Sequence, residues 1–201
     1  MPKIVIIGNG VVKEHLGEKI DKCDTVVRFK KFVTKGYEKN IGTKTDVIGW
    51  NLGHLMRENI DYCKRILGGQ HGTILVHKPY YKHGKEKGTP EGKRAYAIKK
   101  YKKEYGSDFK FVPSKETKKI YDRYSSYFGD YKKYHISTGL YFILYFLLHE
   151  KYDTVHIAGF DFFETGHQYN QSHKHSHSHS SKIEKKIIHK LISQGRVKYL
   201  Q

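Results

Sequence analysis

The chain has few of the residues that redox centres and membrane spans need. Its two cysteines, Cys23 and Cys63, lack the C-x-x-C spacing that metal or redox chemistry requires. Residues 140–148 form an apolar run, but this run is shorter than the roughly 20 residues that cross a bilayer. The apolar segment after Met1 stops at Gly8, which is too early for a signal peptide. These absences predict a cytoplasmic protein whose thiols stay reduced.

Two nucleotide-binding motifs are also missing. No D-x-D triplet occurs in the chain, so the paired-carboxylate motif with which many sugar-nucleotide transferases bind a metal is absent. Gly8 and Gly10 follow a β-branched run, but Lys13 stands where a dinucleotide fingerprint needs its third glycine. An NAD-type site is therefore disfavoured.

Positive charge is what the chain has in excess. The formal net charge is +18 and the isoelectric point is near 9.7. Such a charge predicts attraction to polyanions, which include nucleic acid, an anionic membrane and a phosphate-bearing substrate. Much of the excess lies in residues 78–119, where lysines alternate with tyrosines and glycines as they do on solvated surfaces. Charge alone does not choose among these partners.

The apolar pattern alternates between strand-like and helix-like segments. Short β-branched runs predict strands at 4–7, 25–29, 45–50, 73–77, 109–112, 154–158 and 197–200. Helices are predicted at 54–67, 94–105, 114–127, 138–150 and 182–193. Repeated strands and helices with short connections predict an α/β fold with a doubly wound, mostly parallel, Rossmann-like sheet. The length of 201 residues and the lack of a linker predict a single domain over residues 1–201.

Two polar segments have the composition of anion sites. After the first strand, Gly8 and Gly10 permit close backbone approach, and Asn9 offers an amide to a phosphate or ribose. Residues 137–139 precede an apolar helix whose free amides and dipole would attract an anion. Each has a purely structural alternative, because the first could be an ordinary tight turn and Ser137 could be only a helix N-cap.

A third segment, residues 159–184, combines a strand end with many histidines. Asp161 follows the strand, histidines alternate with other residues over 173–179, and Glu184 lies in the first turn of the next predicted helix. Histidine accepts a proton near neutral pH, and a nearby carboxylate would orient its imidazole. The same run could instead bind zinc or nickel, or form a polar low-complexity loop.

Taken in order, these motifs resemble the sialyltransferases, both the animal-type family 29 and the bacterial family 42. The patterns are I-I-G-N-G at 6–10, I-D-x-x-D-x-V-x-R-F at 20–29, Y-x-x-x-I-G-T-K-T-D-V at 37–47, S-T-G-L at 137–140, H-I-A-G-F-D-F-F at 156–163, H-x-Y at 167–169 and H-x(4)-E at 179–184. The resemblance spans the chain from Lys3 to Leu200, although the middle third carries none of these patterns.

The resemblance implies a site for a cytidine-monophosphate (CMP) sugar. Its nucleotide-binding residues would be Gly8, Asn9, Gly10, Arg28, Lys30, Ser137, Thr138, Gly139, Gly159, Phe160 and Asp161. The Tyr169 hydroxyl, together with His167, would stabilise the departing phosphate. His179 would be the general base, with Glu184 as its partner in the motif and His177 as the competing candidate.

The implied activity is a metal-independent, inverting transfer of sialic acid, or of a related acidic sugar, from a CMP-sugar to a glycan hydroxyl. No metal and no cofactor are expected, and peripheral association with an anionic membrane would fit the charge. This sequence departs from the usual R-x-N pattern, because it reads Arg28-Phe29-Lys30, and Phe163 stands where bacterial members often have a second tyrosine.

Two other classes remain open. A basic nucleic-acid-binding module would fit the charge, but no recognised binding motif supports it. A catalytically silent nucleotide-binding or metal-binding relative would fit Lys30 and the histidine run.

Overall fold

One sheet of seven parallel strands forms the centre of the computed structural model, which describes residues 2–30, 32–55, 73–77, 91–128, 136–149, 152–162, 164, 166–170, 172 and 180–201. The strands are β1 (Ile4–Ile7), β2 (Thr25–Phe29), β3 (Val47–Asn51), β4 (Thr73–His77), β5 (Phe109–Val112), β6 (Val155–Ala158) and β7 (Val197–Tyr199). Their order across the sheet is β5-β4-β3-β2-β1-β6-β7, and each pairs in parallel with its neighbours.

The strand order reverses at β1. Ile4 pairs with Thr25 of β2 on one side and with Val155 of β6 on the other. In doubly wound sheets, ligands bind in the crevice outside the carboxyl ends of the strands at such a reversal. The turns after β1 and β6 therefore lie where a nucleotide site is expected.

The described helices are α1 (Gly17–Asp21), α2 (Glu38–Ile41), α3 (Leu52–Leu55), α4 (Glu91–Tyr105), α5 (Ser114–Arg123), α6 (Ser125–Phe128), α7 (Thr138–Leu148) and α8 (Ser181–Ser193), and a 3₁₀ turn covers Gly106–Asp108. None of the helices in the described ranges is both long and apolar enough to span a bilayer.

The α/β fold with a doubly wound parallel sheet is confirmed, and all seven predicted strands are present with bounds that shift by two residues at most. One predicted helix, 114–127, was wrong as a single element. Tyr124 leaves helical geometry with φ −104° and ψ 14°, which ends α5 and separates it from α6. The start predicted at His54 was late, because α3 begins at Leu52, and residues 56–67 lie outside the described residues.

Helices α1 and α2 were not predicted. They have five and four residues, too few to show a helical period in the sequence. They pack against each other, so tertiary contacts rather than periodicity define them.

The main core lies between the sheet and α7. Six side chains of this helix are buried, namely Leu140, Tyr141, Phe142, Ile143, Leu144 and Leu147, and they pack against β1, β2, β6 and α8. A helix that is apolar on all sides is stable in water only when neighbours cover it. The position of its first residue, Thr138, is accordingly fixed by the core, which holds the start of α7 firmly at the carboxyl edge of the sheet.

Candidate active site

The turns after β1 and β6 are in direct contact. The Gly8 N–H donates to the Ala158 carbonyl at 2.8 Å, and the Gly10 N–H donates to the Gly159 carbonyl at 3.0 Å. A Cβ at Gly8 would overlap the carbonyl oxygen of Gly159, which itself has φ +67°. These glycines are therefore required for the two turns to touch, a reason independent of any ligand.

Asp161, which follows β6, and Gly139, at the start of α7, also lie at these turns. A Cβ at Gly10 would lie 2.8 Å from Cγ of Asp161, and a Cβ at Gly139 would lie 2.8 Å from Cε1 of Phe160. The turn after β1, the turn after β6 and the start of α7 consequently form one continuous surface. The structure brings these sequence-predicted binding residues together.

The backbone bends sharply directly after Asp161. Phe162 has φ +57°, a conformation that costs free energy in a bulky residue. Its ring lies edge-on to His189 at 5.8 Å, and Nζ of Lys185 lies 5.5 Å from the ring centre. Contacts with α8 thus hold the strained turn in place.

The buried Glu184 carboxyl is hydrogen-bonded to the partly buried Ser137 at the start of α7. Oε1 of Glu184 accepts from the Ser137 N–H at 2.6 Å, and Oε2 accepts from the Ser137 hydroxyl at 2.7 Å. The Glu184 side chain is 5% exposed, and burial raises its pKa to about 7 even though the hydrogen bonds from Ser137 favour the charged form. A carboxylate that titrates near neutral pH therefore sits beside the candidate anion site.

Ser137 is also the N-cap of α7. Its Oγ accepts from the Leu140 N–H at 3.1 Å, so the capping alternative raised by the sequence is observed. None of the hydrogen bonds between described residues uses the N–H groups of Thr138 and Gly139. These two amides are the donors that remain for an anionic ligand.

The contact between Glu184 and Ser137 was missed by the sequence interpretation, which paired Glu184 with a histidine. One signal could have found it. Glu184 lies on the buried face of α8 with Ile187, Ile188 and Leu191, at spacings of three, four and seven residues. A carboxylate in such a stripe needs a buried partner.

A narrow cleft opens beside the turn after β1. It is lined by Ile7, Gly8, Asn9, Arg28, Phe32, Val33, Ile41, Gln168 and Tyr169. Burial raises the pKa of Tyr169 to about 12, so its hydroxyl keeps its proton at neutral pH and can donate a hydrogen bond. The His167 ring lies 5.3 Å from the Tyr169 ring.

Residues 166–170 form the turn that carries His167 and Tyr169. His167 and Asn170 exchange backbone hydrogen bonds of 3.0 and 2.9 Å across the turn. Gln168 joins this turn to the β1 loop, because its N–H donates to the Asn9 carbonyl at 2.7 Å and its Oε1 accepts from the Val12 N–H at 2.7 Å. Gln168 was missed by sequence reasoning, since it is only the unspecified residue of H-x-Y.

Arg28 lines the cleft, but its guanidinium makes three hydrogen bonds to other residues of the chain. Its Nη2 donates to the Ile41 carbonyl at 2.6 Å, and its Nε donates to the Lys44 carbonyl at 3.1 Å and to the Thr45 hydroxyl at 3.0 Å. Arg28 is 1% exposed, and burial lowers its pKa to about 10. Arg28 therefore fastens β2 to the segment 41–45 that precedes β3.

Lys30 stands directly after β2 with φ +45°. Its N–H lies 3.4 Å from the Gly49 carbonyl, and the residue is partly exposed. The left-handed region is several-fold more common for asparagine than for other residues that have a Cβ.

With this geometry in place, comparison with known proteins identifies the family. The model of glycosyltransferase family 29 (sialyltransferase) matches residues 2–196. The chain belongs to this family.

Curated members of family 29 match shorter segments. Mouse alpha-N-acetylgalactosaminide alpha-2,6-sialyltransferase 2 is 33% identical over 64 residues, which are 31% of this chain and 17% of the relative. Rat beta-galactoside alpha-2,6-sialyltransferase 2 is 43% identical over 44 residues, which are 22% of this chain and 8% of the relative. The chain thus matches only a small part of the length of these relatives.

Solved sialyltransferase structures share the fold. A mammalian sialyltransferase in complex with Gal-beta-1-3GalNAc-ortho-nitrophenol has a TM-score of 0.65 at 17% identity, over 99% of this chain and 69% of that chain. The sialyltransferase CstII from Campylobacter jejuni, in complex with the substrate analogue CMP-3FNeuAc, has a TM-score of 0.63 at 18% identity, over 99% of this chain and 80% of that chain.

Family 29 membership makes Lys30 informative, because the usual R-x-N pattern has asparagine there. We expect Lys30→Asn to raise the free energy of unfolding by about 0.5 kcal/mol, which is a Tm increase of roughly 1–2 °C, since asparagine tolerates positive φ better than lysine. Lys30→Gln is the matched control, because it removes the charge without gaining this tolerance. Equal Tm changes for the two variants in a thermal melt would assign the effect to charge instead.

Three of the residues singled out in the sialyltransferase pattern lie outside the described residues, namely His177, His179 and Phe163. Among the residues that are described, no group of three or more histidine, cysteine, aspartate or glutamate side chains could hold a metal ion. The roles of the histidines therefore stay predictions.

Proposed function

We propose that this chain transfers sialic acid, or a related acidic sugar, from a CMP-sugar to a glycan hydroxyl, with inversion at the anomeric carbon and without a metal. The observation that carries the proposal is the convergence of the family motifs at the strand-order reversal, where the amides of Thr138 and Gly139 lie at the start of a buried helix. Family membership supports the reaction class. The solved relatives bound to CMP or to an acceptor trisaccharide support the two substrates.

The proposed transfer requires the protein to supply a general base for the acceptor hydroxyl and hydrogen-bond donors for the leaving phosphate. The glycosidic bond to CMP breaks as the acceptor hydroxyl attacks from the opposite face, and the pair of bonding electrons leaves with the phosphate. Tyr169 and the amides of Thr138 and Gly139 would donate to this phosphate, each removal costing about 3–4 kcal/mol in the transition state. A phosphate leaving group is stable as an anion, so no metal is needed to neutralise it.

The general base in this proposal is His179, with His177 as the competing candidate. It would take the proton from the acceptor hydroxyl as the new bond forms. His179 directly precedes Ser180, whose side chain caps α8 and whose helix carries Glu184. The proposed base therefore lies two residues before α8, the helix whose Glu184 accepts hydrogen bonds from Ser137.

A thermal-shift screen with a nucleotide panel tests the proposed function. CMP at about 100 times its dissociation constant should stabilise the protein by about 2.7 kcal/mol, which raises Tm by roughly 5–10 °C. AMP and UMP, tested at the same concentration, serve as controls. Stabilisation by AMP or UMP but not by CMP would contradict the family-based assignment.

Association with an anionic membrane stays a prediction that rests on charge. Helix α4 presents exposed Lys99, Lys100 and Lys103 together with Tyr96, which is 69% exposed. Sedimentation with phosphatidylglycerol vesicles measures this association, and equal binding to neutral phosphatidylcholine vesicles would count against it.

A further inference from the structure

Gln168 joins the turn of residues 166–170 to the loop after β1 through both its side chain and its backbone. The Gln168 N–H donates to the Asn9 carbonyl and its Oε1 accepts from the Val12 N–H, both at 2.7 Å. Val12 is buried, and Gln168 lines the cleft beside Asn9 and Tyr169. One glutamine therefore spans the loop from Asn9 to Val12.

The same loop is held from its other side by Asn40. Its Nδ2 donates to the Lys13 carbonyl at 3.1 Å and to the Glu14 carbonyl at 3.2 Å. Asn40 belongs to α2 and makes no hydrogen bond to the turn that carries Tyr169. Besides the hydrogen bonds of Gly8 and Gly10 to the turn after β6, the loop is thus held by Gln168 and by Asn40. The attachment of Gln168 leads directly to the proposed phosphate donor.

We infer that Gln168 is a positioning residue, which holds the Tyr169 hydroxyl at its working distance from the nucleotide loop. The inference rests on the proposed function. Tyr169 follows Gln168 in the chain, so a shift of the Gln168 backbone moves the tyrosine with it. Misplacement of a catalytic group by about 1 Å costs roughly 100-fold in rate.

The first test removes the side-chain amide of Gln168. Gln168→Leu keeps the side-chain size but leaves the Val12 N–H without its partner, and we expect kcat to fall about 10-fold to 100-fold. The affinity for CMP should change by less than about threefold, because stabilisation of a developing charge acts in the transition state. Gln168→Glu retains an acceptor for Val12 but adds a negative charge to the cleft, so it should restore the amide protection of Val12 and only part of kcat.

A double-mutant cycle shows whether Gln168 acts through Tyr169. In a Tyr169→Phe background, Gln168→Leu should lower kcat by less than about twofold further, because the hydroxyl that it positions is already missing. Asn40→Ala is the matched control, since it loosens the same loop from the other side, and it should leave kcat within about threefold of wild type. Additive losses in the cycle, or an Asn40→Ala loss equal to that of Gln168→Leu, would overturn the inference.

Hydrogen exchange separates this inference from the proposed function. If the wild-type chain turned over no CMP-sugar, the proposed function would fail, yet Gln168→Leu should still increase amide exchange in both residues 9–12 and residues 166–170. Asn40→Ala should increase exchange only in the β1 loop. Unchanged exchange in residues 166–170 of Gln168→Leu would sink the positioning role.

Discussion

Replacing Glu184 with leucine is expected to lower the free energy of unfolding by about 1–3 kcal/mol, because the partly buried Ser137 N–H and hydroxyl lose their acceptors. Leucine has nearly the volume of glutamate, so a cavity does not explain the loss. Helix α7 starts at Thr138, directly after Ser137, so we also expect CMP to bind about tenfold more weakly as its amides lose their fixed position. Denaturant unfolding and calorimetric titration with CMP measure the two effects.

Glu184→Gln is the matched control. Its carbonyl can still accept from the Ser137 N–H, and its amide can donate to the Ser137 hydroxyl. We therefore expect this variant to stay within about 1 kcal/mol of wild type at pH 5, where Glu184 of the folded protein is protonated. If glutamine destabilised the fold at pH 5 as much as leucine does, loss of the acceptor for the Ser137 N–H would not be the cause.

The pKa of Glu184 also fixes the sign of a pH dependence. Burial raises this pKa from 4.5 to about 7 in the folded protein, so between these values the folded chain binds a proton that the unfolded chain has released. The resulting stabilisation is fully present below pH 4.5 and is lost as pH rises through 7. The stability of wild type relative to Glu184→Gln should therefore fall by about 2–3 kcal/mol between about pH 5 and pH 8.

The Ser137 hydroxyl gives this titration a functional consequence. When Glu184 is charged, the hydroxyl donates its proton to Oε2 and cannot donate to a ligand. A protonated Glu184 removes a negative charge from beside the proposed phosphate site. Because the phosphate of CMP also loses a proton near pH 6, the two variants are compared with each other: the CMP affinity of wild type relative to Glu184→Gln should be lower at pH 8 than at pH 6. An affinity ratio of the two variants that does not vary with pH would contradict Glu184 as the sensor.

Much of the fold was predictable because parallel strands covered on both sides are continuous apolar runs. Ile4–Ile7 is buried throughout and is followed at once by Gly8, so both the strand and its end are visible in the sequence. Gly8 and Gly10 were predicted to let a ligand approach the backbone closely, and this stays a prediction. The contact of Gly8 with Gly159 was not predicted, because it depends on β6 lying beside β1, a pairing across about 150 residues of chain.

The hydrogen bonds that hold the site residues in place were the least predictable part of the site. Glu184 and Ser137 are 47 residues apart, and no local pattern links them. Arg28 was predicted to contact a ligand, yet three of its hydrogen bonds go to the segment 41–45. These hydrogen bonds depend on how α2 packs near β2. Such contacts become visible only when distant segments meet in the folded chain.

The largest expected effect on turnover is that of the double variant His177→Ala and His179→Ala. A general base contributes about 100-fold to 10,000-fold, so we expect turnover to fall by that range while the CMP affinity stays within about threefold. Both histidines are changed because they alternate in one run and either could take the proton. The two single variants then assign the base, since only one of them should reproduce the loss.

The histidine run also supplies the control that decides between a base and an idle or metal-binding loop. His173→Ala with His175→Ala removes the same number of imidazoles from the same run, and a base at His177 or His179 predicts that this variant keeps its turnover. A metal site built from the alternating histidines predicts instead that both double variants lose activity and that zinc copurifies with the wild type. Undiminished turnover in both double variants would place the base outside the run. The described residue to test next would be His167, because its ring already lies 5.3 Å from Tyr169.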